Sequence, residues 1–199
     1  MDTNEAVAVL QFLREAERLK NVYRTSWTSG GQQESTASHT WRLCLMALVF
    51  EPNFPDLAIG KLLKICIIHD LGEAIGGDIP AIHQQSDAPK AGQERKDLLV
   101  LLEPLPDGIK HEIVALWDEY EATASPEAQM AKALDKLETL LQHNQGANPP
   151  DFDYAFNLEY GRKFTDAVPF AAALRTLIDA ETEQKAARTN GDQSRSPEV

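Results

Sequence analysis

The chain has 199 residues, 43% of them hydrophobic, and carries a formal net charge of −12. That suffices for one domain with a real core and excludes a mainly disordered protein. The acidic balance, with no basic patch and no apolar run of transmembrane length, excludes electrostatic binding to long nucleic acid or to a membrane; a small anionic substrate beside a bound cation stays open.

Residues Asn4 to Leu19 carry Val7, Leu10, Phe12, Leu13, Ala16 and Leu19 close to a helical stripe, which predicts a first helix capped by Thr3 or Asn4. Tyr23 to Gly31 reads as a loop of small turn formers holding two large residues, Arg24 and Trp27. Each has a bland reading, an exposed arginine and a tryptophan lid over the core, beside a functional one in which the loop contacts substrate. A second helix follows Ser35 or Thr36 as cap, with His39 early in it and Trp41, Leu43, Leu45, Met46 and Val49 behind. A lone histidine there is ordinarily structural. Cys44 and Cys66 stand singly in apolar stretches and read as small core residues, in keeping with a reducing cytoplasm. The acidic opening, Met1-Asp2, has no basic-then-apolar signal pattern.

The most informative stretch is Ile65-Cys-Ile-Ile-His-Asp-Leu-Gly-Glu-Ala-Ile-Gly-Gly-Asp-Ile79. It is expected at the end of a buried central helix from Asp56 to Ala74. His69 and Asp70 beside an apolar run are costly to bury unless something pairs with them, and a shared divalent cation removes that cost. Glu73, at helical spacing from both, suits a residue that handles water rather than the metal.

Beyond a polar connection from Ile79 to Gly92, two helices are expected over Glu94–Leu102 and Asp107–Ala122. Ser125-Pro126-Glu127 starts another that runs to about Gln145, with Ala133, Leu134, Leu137, Leu140 and Leu141 as its core stripe. Asp135 lies beside that stripe; a salt bridge to Lys132 or Lys136 would account for it by itself. A short helix near Asp153–Tyr160 and a last one over Val168–Glu183 complete a single all-α domain of residues 1–184, without strands. The polar residues 185–199 are expected to form a disordered tail.

His39, the His69-Asp70 pair and Asp135 form the ordered pattern H…HD…D. That pattern resembles the HD superfamily of metal-dependent phosphohydrolases, over about Leu10 to Leu141. Arg24-Thr-Ser-Trp27, Glu34-Ser-x-Ala-x-His39, His69-Asp-Leu-Gly-Glu73, Gly77-Asp-Ile79, Leu116-Trp-Asp-Glu-Tyr-Glu121 and Ala133-Leu-Asp-Lys136 are similar to its 5′-deoxynucleotidase branch, the HD domain-containing protein 2 type. The resemblance implies an HD-fold helical bundle with the metal site between central helices. It also implies hydrolysis of deoxyribonucleoside 5′-monophosphates, and a homodimer. It makes His39, His69, Asp70 and Asp135 the metal ligands, lets Glu73 orient the attacking water, and sets Asp78 near the phosphate. One position departs from the family: the residue before the first histidine is usually acidic, and here it is Ser38.

Two imidazoles with two carboxylates suit Mn, Fe, Co or Zn better than Mg or Ca. Arg24, and Arg42 on the helix of His39, are the candidate phosphate contacts, and Trp27 is the candidate surface against the deoxyribose C2′. Hydrolysis of another phosphoester, such as a cyclic nucleotide, a triphosphate or an alarmone, remains an alternative. So does a non-catalytic HD-fold binding module, although that class would be expected to lose ligands or Glu73.

Overall fold

A computed structural model describes residues 2–78 and 87–193. Helix α1 (Thr3–Ala16) is capped by Asp2, whose side chain accepts from the Glu5 backbone while Glu5 returns the bond. A 3₁₀ turn (Glu17–Asn21) leads into strand β1 (Tyr23–Trp27), which pairs antiparallel with β2 (Gln33–Ser35). This hairpin stands where a loop was expected. Tyr, Thr and Trp favour extended backbone, and inward and outward positions alternate along β1. Gly31, at φ +78, makes the turn between the strands.

Ser35 caps α2 (Thr36–Phe50) as expected. The central helix is shorter than its apolar run. Helix α3 spans Ile59–Ile68, and the chain then tightens into i→i+3 bonds from Leu71 to Ile68 and from Glu73 to Asp70. The four-residue α4 (Glu73–Gly76) follows. The turn packs directly on the next helix at Gly72, where a Cβ would lie 2.5 Å from the Glu94 carbonyl oxygen. That helix, α5 (Asp87–Leu101), begins earlier than expected; the connection preceding it, 79–86, lies outside the described residues. Helices α6 (Asp107–Glu121) and α7 (Pro126–Gln145) match their sequence signals, with Ser125 capping α7. After α8 (Tyr154–Glu159) and α9 (Arg162–Thr165), helix α10 (Pro169–Gln193) passes the expected end at Glu183 and continues through the first residues assigned to the tail. Residues 194–199 lie outside the described ones.

Helix α7 is the axis of the bundle: α2, α3, α6, α9 and α10 all pack on it. Its Leu134, Leu137 and Leu140 meet Leu43 of α2 and Leu62 and Ile65 of α3 in a core closed to solvent. A second cluster, Leu98, Leu101, Leu102 and Trp117, backs the turn after α3. The Trp117 indole donates to the His69 carbonyl at 3.0 Å and pins that turn. At the other end, buried Arg175 of α10 donates to the carbonyls of Asn157, Leu158 and Tyr160 and to Asp179, holding α8 and its exit against the bundle. No helix among the described residues is long and apolar enough to cross a membrane.

Candidate metal centre and active site

Three elements bring the H…HD…D residues together. His39 comes from the first turns of α2, His69 and Asp70 from the tight turn after α3, and Asp135 from the middle of α7. His39 Nε2 lies 3.1 Å from Asp135 Oδ1 and 3.9 Å from Asp70 Oδ2; His69 Nε2 lies 3.0 Å from Asp70 Oδ2. The donor atoms of His39, His69 and Asp70 fall within 4.8 Å of one another.

In three of the four candidate ligands, His39, His69 and Asp135, the other polar atom is already occupied. His69 Nδ1 donates to the Cys66 carbonyl at 2.8 Å, and His39 Nδ1 bonds to Glu138 Oε2. In the neutral form of each ring, with Nδ1 carrying the proton, Nε2 presents a lone pair inward. Asp135 Oδ2 accepts from Tyr120 at 2.9 Å and pairs with Lys136 at 2.9 Å, which leaves Oδ1 for the centre. The salt bridge that would explain Asp135 blandly therefore uses one oxygen and leaves the other facing His39. His39 Nε2, His69 Nε2 and Asp70 Oδ2 are buried with no hydrogen-bond donor to satisfy them. Three convergent orphaned atoms, two imidazole and one carboxylate, fit a divalent transition metal.

The local field favours positive charge at this point. Burial resists ionisation of Asp70 and Asp135, but the neighbouring histidines, Arg24 and Lys136 outweigh it and hold both carboxyls below their ordinary range. Burial and Arg24 pull His39 down, yet Glu138 and Asp135 overcome them and push it up to about 10.

Glu73 is buried, and its Oε2 accepts from the Thr36 hydroxyl at 3.0 Å. Arg24 Nη2 donates to Thr139 Oγ1 at 3.0 Å, while Nη1 lies 3.6 Å from Asp70 Oδ2 and Nε 3.7 Å from Glu34 Oε2. Burial lifts the Glu34 carboxyl to about 7, with Glu138 adding to the rise and Arg24 opposing it. Arg24, His69, Asp70, Glu73, Asp78 and Asp135 all line one cavity of about 1060 Å³, roomy enough for a nucleotide. Its far wall is built by His143 of α7 and by Phe152, Phe156, Asn157 and Tyr160 of the following segment.

Two expected substrate contacts do not line this cavity. Arg42 turns to Glu138, with Nε 2.6 Å from Oε1, and to Gln145 at 3.0 Å. It therefore supports the back of His39 instead of meeting phosphate. Trp27 lies on the opposite parity of β1 from Arg24, half-buried, and its carbonyl accepts from Gln142 at 2.5 Å. Its position fits the lid over α7 better than a surface against the sugar. Glu138 escaped the sequence reading, although it stands three residues after Asp135 and shares its helix face. It supplies from α7 the carboxylate that Ser38 does not. Ser38 is exposed and exchanges a hydroxyl bond with Ser35 at 2.9 Å.

The profile of the HD domain family matches residues 16–175. The chain is 37% identical over 141 residues to the 5′-deoxynucleotidase HDDC2 of Danio rerio, covering 69% of this chain and 68% of that protein. It is 33% identical to the 5′-deoxynucleotidase HDDC2 of Homo sapiens, covering 70% and 69%. Among solved structures it is similar to a predicted metal-dependent phosphohydrolase from Magnetospirillum magnetotacticum MS-1, with a TM-score of 0.78 and 27% identity over 94% of this chain and 95% of that one.

Proposed function

The chain belongs to the HD domain family, and we propose that it is a metal-dependent 5′-deoxynucleotidase hydrolysing deoxyribonucleoside 5′-monophosphates to deoxynucleoside and phosphate. The observation that carries this reading is the convergence of orphaned His39, His69 and Asp70 atoms beside Arg24 and Glu73, at one end of a nucleotide-sized cavity. The names of the most similar relatives support the substrate class.

His39, His69, Asp70 and Asp135 hold the ion, of the Mn, Fe, Co or Zn class. When bound, it neutralises phosphate charge and lowers the pKa of a water in its reach. The chain's own residues do the rest. Arg24, anchored by Thr139, offers its guanidinium to the phosphate oxygens. Glu73, steadied by Thr36, aligns the attacking water and accepts its proton. Asp78 faces the same cavity and assists near the phosphate. Phosphomonoester hydrolysis gains most from positioning and charge neutralisation, and the site is rich in both.

The reading extends to assembly and compartment. A stripe of exposed Trp41, Leu45, Leu48 and Val49 on α2 is the face assigned to a homodimer, because an apolar row of this kind is costly in water. Cys44 and Cys66 are free thiols, which suits the cytoplasm.

The test is phosphate release from paired deoxyribo- and ribonucleoside 5′-monophosphates, cyclic nucleotides and triphosphates, each after chelation and after re-addition of single metals. Metal-dependent turnover confined to the deoxyribonucleoside monophosphates is the expected result. Turnover of another class, or turnover indifferent to chelation, overturns the reading.

A further inference from the structure

The cavity extends well past the residues that the chemistry uses. Along α7, Asp135, Thr139 and His143 recur every four residues and share one face. Asp135 serves the metal centre, Thr139 holds Arg24, and His143 stands at the opposite end of the cavity. Eight residues of helix separate Asp135 from His143, a span of about 12 Å and the scale of an extended nucleoside monophosphate. A group that extends along this face of α7 from a phosphate held beside Asp135 and Asp70 therefore reaches His143.

That end is built for a flat, polar-edged group. His143 Nδ1 lies 3.1 Å from Asn157 Oδ1. Burial holds His143 down at about 4, so the ring is neutral and Nδ1–H donates to the asparagine oxygen. Two atoms are then left over: the lone pair on His143 Nε2 and the amino group of Asn157. Both are buried and unpartnered. They are an acceptor and a donor, the complement of a nucleobase edge. Asn157 is held in place because its own carbonyl accepts from Arg175 at 2.8 Å. Beside the pair, Phe156 lines the cavity and remains 40% exposed, an aromatic face open to a stacking partner.

We propose that this end of the cavity is a nucleobase subsite, in which Phe156 stacks on the base and His143 with Asn157 reads its edge. The proposal rests on the nucleotidase reading and deepens it. A hydroxyl-bearing sugar alone would not need an aromatic platform, whereas every base has a π-face, and base–aromatic stacking is sequence-tolerant. Discrimination between bases falls to the acceptor–donor pair, because a mismatched edge leaves one of its buried groups unpaired.

The experiment compares the four common deoxyribonucleoside 5′-monophosphates with deoxyribose 5-phosphate, which keeps the reacting phosphate and lacks the base. Two variants are used. Phe156→Leu removes the ring and keeps apolar volume; Asn157→Asp keeps the shape and the bond from His143 but removes the free donor. Phe156→Leu is expected to lower kcat/KM on all four nucleotides by about tenfold or more, the scale of base stacking, with no matching loss on deoxyribose 5-phosphate. Asn157→Asp is expected to reorder the four nucleotides, again without a matching loss on the base-free substrate. Equal losses with and without the base, or no change on any nucleotide, overturn the subsite. Calorimetric binding of the free deoxynucleosides provides a readout independent of turnover. Wild-type binding that both variants weaken supports the subsite, and binding that is absent or unchanged overturns it. Failure of the wild type to release phosphate from any of these compounds would refute the nucleotidase reading alone.

Discussion

Replacing Glu138 by glutamine removes a charge from the back of the metal centre and changes almost no volume. Glu138 is fully buried. One of its oxygens takes the His39 Nδ1 proton and the other takes Arg42 Nε at 2.6 Å. A glutamine has one acceptor oxygen for these two donors, and its amino group must face the other N–H. One charge-assisted bond is lost, worth about 1.5–3 kcal/mol. The same carboxylate fixes the His39 tautomer and raises the basicity of Nε2. Losing such a partner weakens metal binding by about 10–100-fold, and the two figures agree. The assay is chelator competition for metal affinity, with circular dichroism to verify the fold. Ser38→Asp is the control: position 38 is solvent-exposed, so an acidic residue there should leave affinity unchanged. Wild-type affinity in Glu138→Gln, in a folded protein, would refute the assignment of Glu138 as the support of His39.

Other outcomes follow from the same geometry. Asp70→Ala should abolish both bound metal and turnover, read by elemental analysis and phosphate release, because it removes a charged donor from a buried set. Glu73→Gln should keep the metal and lose about two or more orders of magnitude in rate, the scale of a general acid–base group; loss of metal would make Glu73 a ligand. Trp27→Ala should lower the melting temperature, by about 1–3 kcal/mol of stability for a half-buried side chain, and leave the deoxy-to-ribo ratio of kcat/KM in place; a narrowed ratio would return Trp27 to the sugar. The stability contributed by neutral His143 should fall as pH drops from about 6.5 to about 4, while Glu34, lifted to about 7, acts in the opposite direction over much of the same window. In that window the unfolded chain binds a proton at His143 that the folded chain refuses, so acid favours unfolding. The difference between wild type and His143→Gln isolates this contribution: the wild type should lose melting temperature relative to the variant as pH falls through that window, and a pH-independent difference would refute it.

The sequence marked the His69-Asp70 pair by itself, whereas His39 and Asp135, each with an ordinary structural reading, joined the candidate set only through the ordered H…HD…D pattern and its family resemblance. A histidine and an aspartate closing an apolar run cost free energy that is legible without the fold. Glu138 is no less buried, but its environment comes from α2, which lies a hundred residues away in the chain, and nothing local marks it as unusual. Arg42 misled for the same reason. Its position on the helix of His39 is correct, but which side of His39 it supports depends on where Glu138 arrives. The hairpin of β1 and β2 was missed because Thr, Ser and Gly signal a turn more strongly than five residues of alternation signal a strand. The break after Ile68 is not legible in the apolar run, and the close approach of Gly72 to the Glu94 backbone that accompanies it is a tertiary contact that no periodicity contains.

Charge explains why these buried groups stand together at all. Glu34, Asp70, Glu73, Asp135 and Glu138 gather around His39, with Arg24, Arg42 and Lys136 among them. Five carboxylates against three cations leave two negative charges in a region largely closed to water. A structure seldom retains such an excess unless something returns the cost, because isolated buried charges are among the most unfavourable features a fold can contain. The field shifts as it must under that excess: His39 is pushed up to about 10, and Glu34 is lifted to about 7, each change reducing the negative charge. A divalent cation at the proposed convergence of His39, His69, Asp70 and Asp135 would supply two positive charges, matching the excess of two counted with His39 neutral and the five carboxylates ionised. It competes with the proton on His39, so metal binding and proton release are linked. Neutralising Asp70 in this way would weaken its hold on the Arg24 guanidinium 3.6 Å away and favour an incoming anion there. The excess of carboxylates that recruits the metal is therefore also what would repel a phosphate if the metal were missing, which ties substrate binding to metal binding within a single electrostatic arrangement.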